Sequence, residues 1–231
     1  MADQSPQPNI IKKGDLRRKV EEEEHPYDPA EAIITKGFHY FMKHNYDPNV
    51  ALGQHPTFLV FACSDSRVSP SNVLNFQPGE AFMMCNIANL VPAFNQLRYS
   101  GVGAVIEYAV KVLEVKNILV VGHSDCGGIK ALMNLPDDGS STHDFIDNWV
   151  KIGLPAKAKV LAEHPNLLPE EQRHICEKAI NLSLVNIQSY PYVRAGMGNN
   201  NLTLRGGYYD FVHGSLQLWE VNHEITVPKY I

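Results

Sequence analysis

The sequence predicts an α/β fold: a single domain with a mainly parallel central β-sheet flanked by helices, preceded by an N-terminal helical arm. Three observations carry this expectation. The short continuous apolar runs "TFLVFA" (57–62) and "NILVVG" (117–122) have the length and composition of strands buried on both faces. Helical patterns stand between and after them, and strands alternating with helices imply βαβ units and a parallel sheet. The chain has 231 residues, 44% of them hydrophobic, which is enough for one sizeable core.

Taken in order, residues 1–14 show no periodicity. Residues 15–24 and about 29–45 ("PAEAIITKGFHYFMKHN") are expected to be helices, the second amphipathic, with Pro29 suited to its first turn. Together they form the arm, residues 1–45, leaving 46–231 as the α/β domain. "TFLVFA" is the first strand and "EAFMMCNIA" (80–88) the second. Ser100 is placed to cap a helix through "GVGAVIEYAVKVLEV" (101–115). "NILVVG" is the third strand, and Gly127-Gly128 open the helix "IKALM". Residues 141–188 are helical in pattern, with breaks expected at Pro155 and at Pro165–Pro169. "TLRGGYYDFVHGSLQLWEV" (203–221) is expected to give a glycine turn and a further strand at the sheet edge.

Composition removes several function classes. A formal net charge of −5 argues against nucleic acid or an anionic membrane as the main partner. No apolar run approaches the ~18–20 residues a spanning helix needs, so no membrane insertion is expected. The first residues lack an apolar core of the secretory kind, and Glu21 to Glu24 fit a transit peptide poorly. The expected compartment is therefore the cytosol, or the chloroplast if the chain is a trimmed mature form. Four cysteines (Cys63, Cys85, Cys126 and Cys176) are too few for a disulfide scaffold. In a reducing compartment, cysteines near a histidine more often bind metal or catalyse.

Two stretches carry that chemistry: "FACSDSRVSP" (61–70) and "VVGHSDCGG" (120–128). In open parallel sheets functional groups gather at the carboxyl ends of strands. Cys63 and His123 each follow an apolar run, and Cys126 follows His123 by three. If the two strands are neighbours, two thiolates and an imidazole converge, a set suited to Zn²⁺. Three protein ligands leave a position open and point to a catalytic ion, because a structural zinc normally takes four. Asp65 and Arg67, just past Cys63, pair a carboxylate with a cation that keeps it ionised. The plainer alternative is an ion pair that only pins the turn.

The stretches "CSDSRVSPSNVLNFQPGEAF", "NIANLVP", "GVGAVIEYAV", "GHSDCGG" and "GGYYDFVHGSLQLWE" together resemble the plant-type β-carbonic anhydrases, from about Asp28 to Glu220. The resemblance implies a β-carbonic anhydrase-like fold and reversible hydration of CO₂ to bicarbonate by hydroxide on zinc, with one Zn²⁺ per subunit. It implies Cys63, His123 and Cys126 as zinc ligands and Asp65 with Arg67 as the catalytic dyad. Gln54, Phe82, Ile87 and Tyr108 fall where the family lines its substrate pocket, partly across a dimer interface. Gly127 matches a position whose backbone N–H faces the substrate. A homo-oligomer built from dimers, a tetramer or octamer, is also implied, with the C-terminal "NHEITVPKYI" available for pairing between dimers.

Three positions depart from the family pattern. Cys85 stands where the family commonly has arginine, and Val60 where members with an allosteric bicarbonate pocket have tryptophan. No such pocket is expected here. Asp125, between two of the ligands, replaces a small residue and is expected to face solvent. His55, His213 and Tyr108 are candidate proton relays, though an exposed histidine without a catalytic role is the more ordinary reading. The competing functions are a zinc hydrolase of carbonyl sulfide or carbon disulfide on the same fold, and a small-molecule or protein-binding role. A redox thiol protein is disfavoured by the lack of a C-x-x-C pair.

Overall fold

The computed structural model of the chain describes residues 28–94, 100–136, 138, 140–165, 172–221 and 226–231. It divides into two compact units, Met1–Tyr46 and Asp47–Ile231. In the first unit, helix α1 spans Pro29–His44. Asp28 caps it, its carboxylate accepting from the Ala30 N–H at 2.8 Å, and Pro29 occupies the first turn. Lys43 and His44 in the last turn suit the negative end of the helix dipole. The helix expected over 15–24 lies outside the described residues.

The second unit holds the sheet. Its strands are β1 Phe58–Cys63, β2 Ala81–Asn86, β3 Asn117–His123, β4 Thr203–Asp210, β5 Ser215–Val221 and β6 Lys229–Tyr230. The helices are α2 Pro70–Val73, α3 Ser100–Glu107, α4 Gly127–Met133, α5 Ile146–Val150, α6 Leu154–Glu163, α7 Gln172–Gln188 and α8 Pro191–Gly198. α3 runs on into a wider π turn, Tyr108–Val112. The strand order is β2-β1-β3-β4-β5-β6. β2, β1, β3 and β4 pair in parallel, whereas β5 and β6 complete the sheet antiparallel.

Burial follows from that order. β1 and β3 are interior strands, and Leu59, Phe61, Ile118 and Val120 on them are fully buried. Each such side chain contributes roughly 1.5–3 kcal/mol by leaving water. Helix α7 packs across β3 and β4 and buries Ile180, Leu184 and Ile187. β2 lies at the edge and is only partly covered.

Three expectations need correction. The second strand stops at Asn86, because Ala88 and Asn89 take left-handed backbone angles (φ 61° and 48°) in a 3₁₀ turn, Ile87–Asn89. Pro155 does not break a helix. It sits in the first turn of α6, where its missing N–H costs nothing, and the break is the 3₁₀ turn Lys151–Gly153 before it. Residues 203–221 form a hairpin of two strands, with β4 interior to the sheet. Gly206 is not in a turn: it lies opposite Trp219, and a Cβ there would come within 2.3 Å of the indole. Glycine lets the ring close over the strand. The hairpin turn falls at 211–214 and uses Gly214 at φ 66°. Helix α8 was not foreseen, since two turns are too short to show a period.

The loop before α5 is tied down by Asp147, which is buried. Its carboxylate accepts from the Thr142 N–H (2.7 Å), the His143 N–H (3.1 Å) and the Ser141 hydroxyl (3.0 Å). The Thr142 N–H outweighs burial and, with the other donors, holds the carboxyl well below the usual carboxylate range. A carboxyl depressed in the folded state stabilises the protein above its unfolded value, near ~3.9, and loses that contribution as pH falls through the folded one. Asp147→Asn is therefore expected to be less stable than wild type at neutral pH. Its deficit should narrow as pH drops below about 4, which denaturant titrations at a series of pH values will measure.

Candidate metal centre

β1 and β3 are neighbours in parallel register, with Ala62 opposite Val121. Cys63 and His123 therefore leave the sheet side by side. A tight turn, with Asp125 at φ 54°, brings Cys126 back at the start of α4. The Sγ atoms of Cys63 and Cys126 stand 3.9 Å apart. With a His123 ring nitrogen, the three potential ligand atoms lie within 4.8 Å of one another, and all three residues are buried. Two sulfurs each ~2.3 Å from a tetrahedral ion would stand about 3.8 Å apart, so the spacing fits zinc.

The histidine presents a suitable nitrogen. Its Nδ1 lies 2.8 Å from the Ser124 carbonyl oxygen, which can only accept. Nδ1 therefore carries the proton, and Nε2 holds a free lone pair. Nε2 is buried and has no hydrogen-bond partner among the described residues. An orphaned buried acceptor costs about 1–3 kcal/mol, and a metal ion would satisfy it.

The thiols are set up unequally. Cys63 is pulled down by a hydrogen bond from the Cys126 thiol against the effect of burial, with help from the backbone N–H groups of Asp65 and Ala88. Cys126 is pushed up by the same contact and by burial. One thiolate is thus favoured before any ion arrives, and a divalent cation would draw off the second proton. The Ala88 N–H reaches Cys63 because the 3₁₀ turn bends the chain through its left-handed residues. α4 closes onto that turn only because residue 128 is glycine. A Cβ there would lie 2.6 Å from Ile87 Cγ2 and 2.8 Å from Ala88 Cβ. In front of Gly127, by contrast, a Cβ would meet nothing within 4 Å.

Asp65 and Arg67 form a two-pronged pair. Asp65 Oδ1 accepts from Arg67 Nε at 2.9 Å and Oδ2 from Nη2 at 2.7 Å, while the Arg67 backbone N–H adds a third bond at 3.0 Å. The guanidinium, opposed only by partial burial, holds the Asp65 carboxyl well below the usual range. Asp125 is exposed, as expected, and is also paired. Its carboxylate pairs with Lys130 and approaches Arg67 Nη1 at 3.5 Å, and its carbonyl oxygen lies 3.4 Å from Arg67 Nη2. Charges of alternating sign, Asp65–Arg67–Asp125–Lys130, therefore run from one loop to the other.

Two residues in this network escaped the sequence reading. Ser124 gives its N–H to the Tyr209 carbonyl (3.0 Å), takes the Phe211 N–H on its hydroxyl (3.1 Å) and orients His123 through its carbonyl. Phe211 stacks on the His123 ring at 5.9 Å and 28°, and the Arg67 guanidinium carbon lies 4.4 Å from its centroid. Both residues occur within the quoted motifs, but no linear spacing links them to Arg67.

The remaining expected residues are dispersed. Ile87 packs on the Gly128 position and lines an open apolar groove of about 650 Å³ together with Ser64, Met84, Phe145 and Trp149. Phe82 pairs with Leu59, four positions before Asn86 and Cys63, and so sits roughly 13 Å back along the sheet. Its ring packs on Tyr108 at 5.7 Å. Gln54 is exposed in the loop after the 3₁₀ turn Pro48–Leu52. Cys85 is exposed on β2 opposite Ala62, and Val60 is fully buried. Cys176 is buried on α7 with its Sγ 3.6 Å from the His123 carbonyl oxygen, outside the three-atom cluster. His55 is exposed, and His213 pairs with Asp210 at 2.8 Å. No helix is long and apolar enough to cross a membrane among the described residues.

Residues 58–216 match the sequence profile of the family described as "Carbonic anhydrase". The chain is 49% identical over 201 residues to the β-carbonic anhydrase 3 of Arabidopsis thaliana, covering 84% of this chain and 78% of that protein. Among solved structures it is similar to the β-carbonic anhydrase CcaA, with a TM-score of 0.78 and 27% identity over 87% of this chain and 93% of that one. It is also similar to tetrameric β-carbonic anhydrases from the ascomycete Sordaria macrospora (TM-score 0.65, 28% identity, 86% and 96% coverage).

Because an ion would bind the folded cluster and not the unfolded chain, zinc added to metal-free protein is expected to raise the thermal unfolding temperature. His123→Ala should abolish that rise, as read by calorimetry.

Proposed function

The chain belongs to the β-carbonic anhydrase family, and from that premise we propose that it interconverts CO₂ and bicarbonate with a zinc ion held by Cys63, His123 and Cys126. The observation that carries the ligand assignment is the buried, unpartnered Nε2 of His123 beside two thiol sulfurs. The ion, when bound, supplies the Lewis acidity that brings water into the neutral titration range.

The chain's own residues do the rest. The two cysteines act as thiolates, steadied by the N–H groups of Asp65 and Ala88 on Cys63 and of Ile129 on Cys126. Asp65, kept ionised by Arg67, can only accept. It takes a hydrogen bond from the attacking water and so turns the oxygen's free lone pair toward the carbon of CO₂. Gly127 is the first residue of α4, so its N–H is outside the helix's own hydrogen-bond ladder and is placed to donate to a substrate oxygen, where charge develops during attack. Ile87 supplies an apolar wall suited to an uncharged linear substrate.

Phe82 and Tyr108 stand too far back to complete this pocket within one chain. We assign them, with Gln54, to the site of a neighbouring subunit in a homo-oligomer built from dimers. Support comes from the exposure of Tyr108 and from the tetrameric relatives of Sordaria macrospora.

The deciding experiment measures bound metal and CO₂ hydration together, for wild type and Asp65→Asn. One zinc per subunit is expected in both, with turnover reduced about 10- to 100-fold in the variant. Protein without zinc, or a variant as active as wild type, would overturn the assignment. Turnover of carbonyl sulfide exceeding that of CO₂ would replace the substrate.

A further inference from the structure

Asp65 can orient a water molecule only if its own direction is fixed. The two-pronged contact makes Asp65 and Arg67 one rigid unit, yet that unit could still swing about the Asp65 side chain. The Arg67 side chain is 48% exposed, and an arginine so placed ordinarily samples several rotamers. Something outside the pair must hold it.

We propose that Phe211 is a positioning residue for the Asp65–Arg67 pair, acting through Arg67 and touching neither substrate nor ion. This rests on the catalytic reading given above. The Arg67 guanidinium carbon lies 4.4 Å from the Phe211 centroid, within the range of a cation–π contact. The same ring stacks on the His123 imidazole at 5.9 Å. One aromatic side chain thus sets the dyad against a metal-ligating histidine.

The ring is itself anchored. The Phe211 N–H donates to the Ser124 hydroxyl at 3.1 Å, Tyr209 packs on the ring edge-on at 6.3 Å, and β4 is registered on β3 with His123 opposite Tyr209. Asp125 adds weaker contacts to both Nη atoms of Arg67, its carbonyl oxygen at 3.4 Å and its carboxylate at 3.5 Å, and shares that carboxylate with Lys130. The aromatic face is a second restraint, anchored independently of Asp125. Its value is geometric: a guanidinium confined over a ring keeps both Asp65 oxygens in one plane relative to the ligand loop.

The test uses the zinc-loaded protein. Phe211→Leu is expected to retain zinc while losing about three- to tenfold in kcat/KM, and Phe211→Tyr to recover most of it, because the ring face is what matters. In an Arg67→Ala background, Phe211→Leu should cause no further loss, since its effect runs through the missing guanidinium. A readout independent of turnover is the Arg67 Nε–H resonance in ¹⁵N-arginine-labelled protein, assigned by its absence in Arg67→Lys. The ring should shift it upfield in wild type, and Phe211→Leu should remove the shift. If Phe211→Leu does not fold, Phe211→Met takes its place.

Wild-type kcat/KM in the leucine variant, losses that multiply with Arg67→Ala, or an unshifted wild-type resonance would each overturn the proposal. Failure of the wild type to bind zinc or hydrate CO₂ would instead overturn the catalytic reading, and with it the role proposed for Phe211, whatever the resonance shows.

Discussion

Everything at the site depends on β1 and β3 being adjacent and parallel. Adjacent parallel strands end together, and here one ends in Cys63 and the other in His123. No side chain needs to reach far, so the sulfur and the imidazole can be fully enclosed. The packing that keeps the strands together is the same that excludes water from the cluster. Leu59, Phe61, Ile118 and Val120 are buried on the two strands, and α7 lies across β3. Stability and chemistry therefore share one set of contacts.

A second layer fixes directions. Ser124 spends its carbonyl on His123, its hydroxyl on Phe211 and its N–H on Tyr209, so the ligand turn and the end of β4 form one unit. The 3₁₀ turn after β2 bends through Ala88 and Asn89 and delivers an N–H to Cys63. Left-handed backbone at non-glycine residues costs of order 1 kcal/mol or more each, and here it is spent beside the reactive sulfur. Gly128 completes the arrangement by letting α4 pack against that turn.

Much of this was legible in the sequence, for identifiable reasons. The apolar runs before Cys63 and His123 announced interior strands, because a strand covered on both faces has no polar alternation to disguise it. The H-x-x-C spacing and the Asp65–Arg67 pair are local, so the clustered turn and the ion pair could be read directly. What linear spacing left unread was non-local. Gly206 and Gly207 looked like a turn, yet Gly206 exists to admit Trp219 from the next strand. Asp125 is solvent-facing, but its pairing with Arg67 could not be read because Arg67 leaves a different strand. Phe82 and Tyr108 pack on each other well behind the cluster, a placement that spacing alone could not reveal.

The central claim is that two sulfurs and one imidazole nitrogen hold a single ion with one corner free. X-ray absorption at the zinc edge of the loaded protein measures this directly. The account predicts two sulfur scatterers at ~2.3 Å and one nitrogen at ~2.0–2.1 Å, with the fourth scatterer a light atom that exchanges when a small anion is added. A fourth sulfur or nitrogen from the protein that no anion displaces would contradict it.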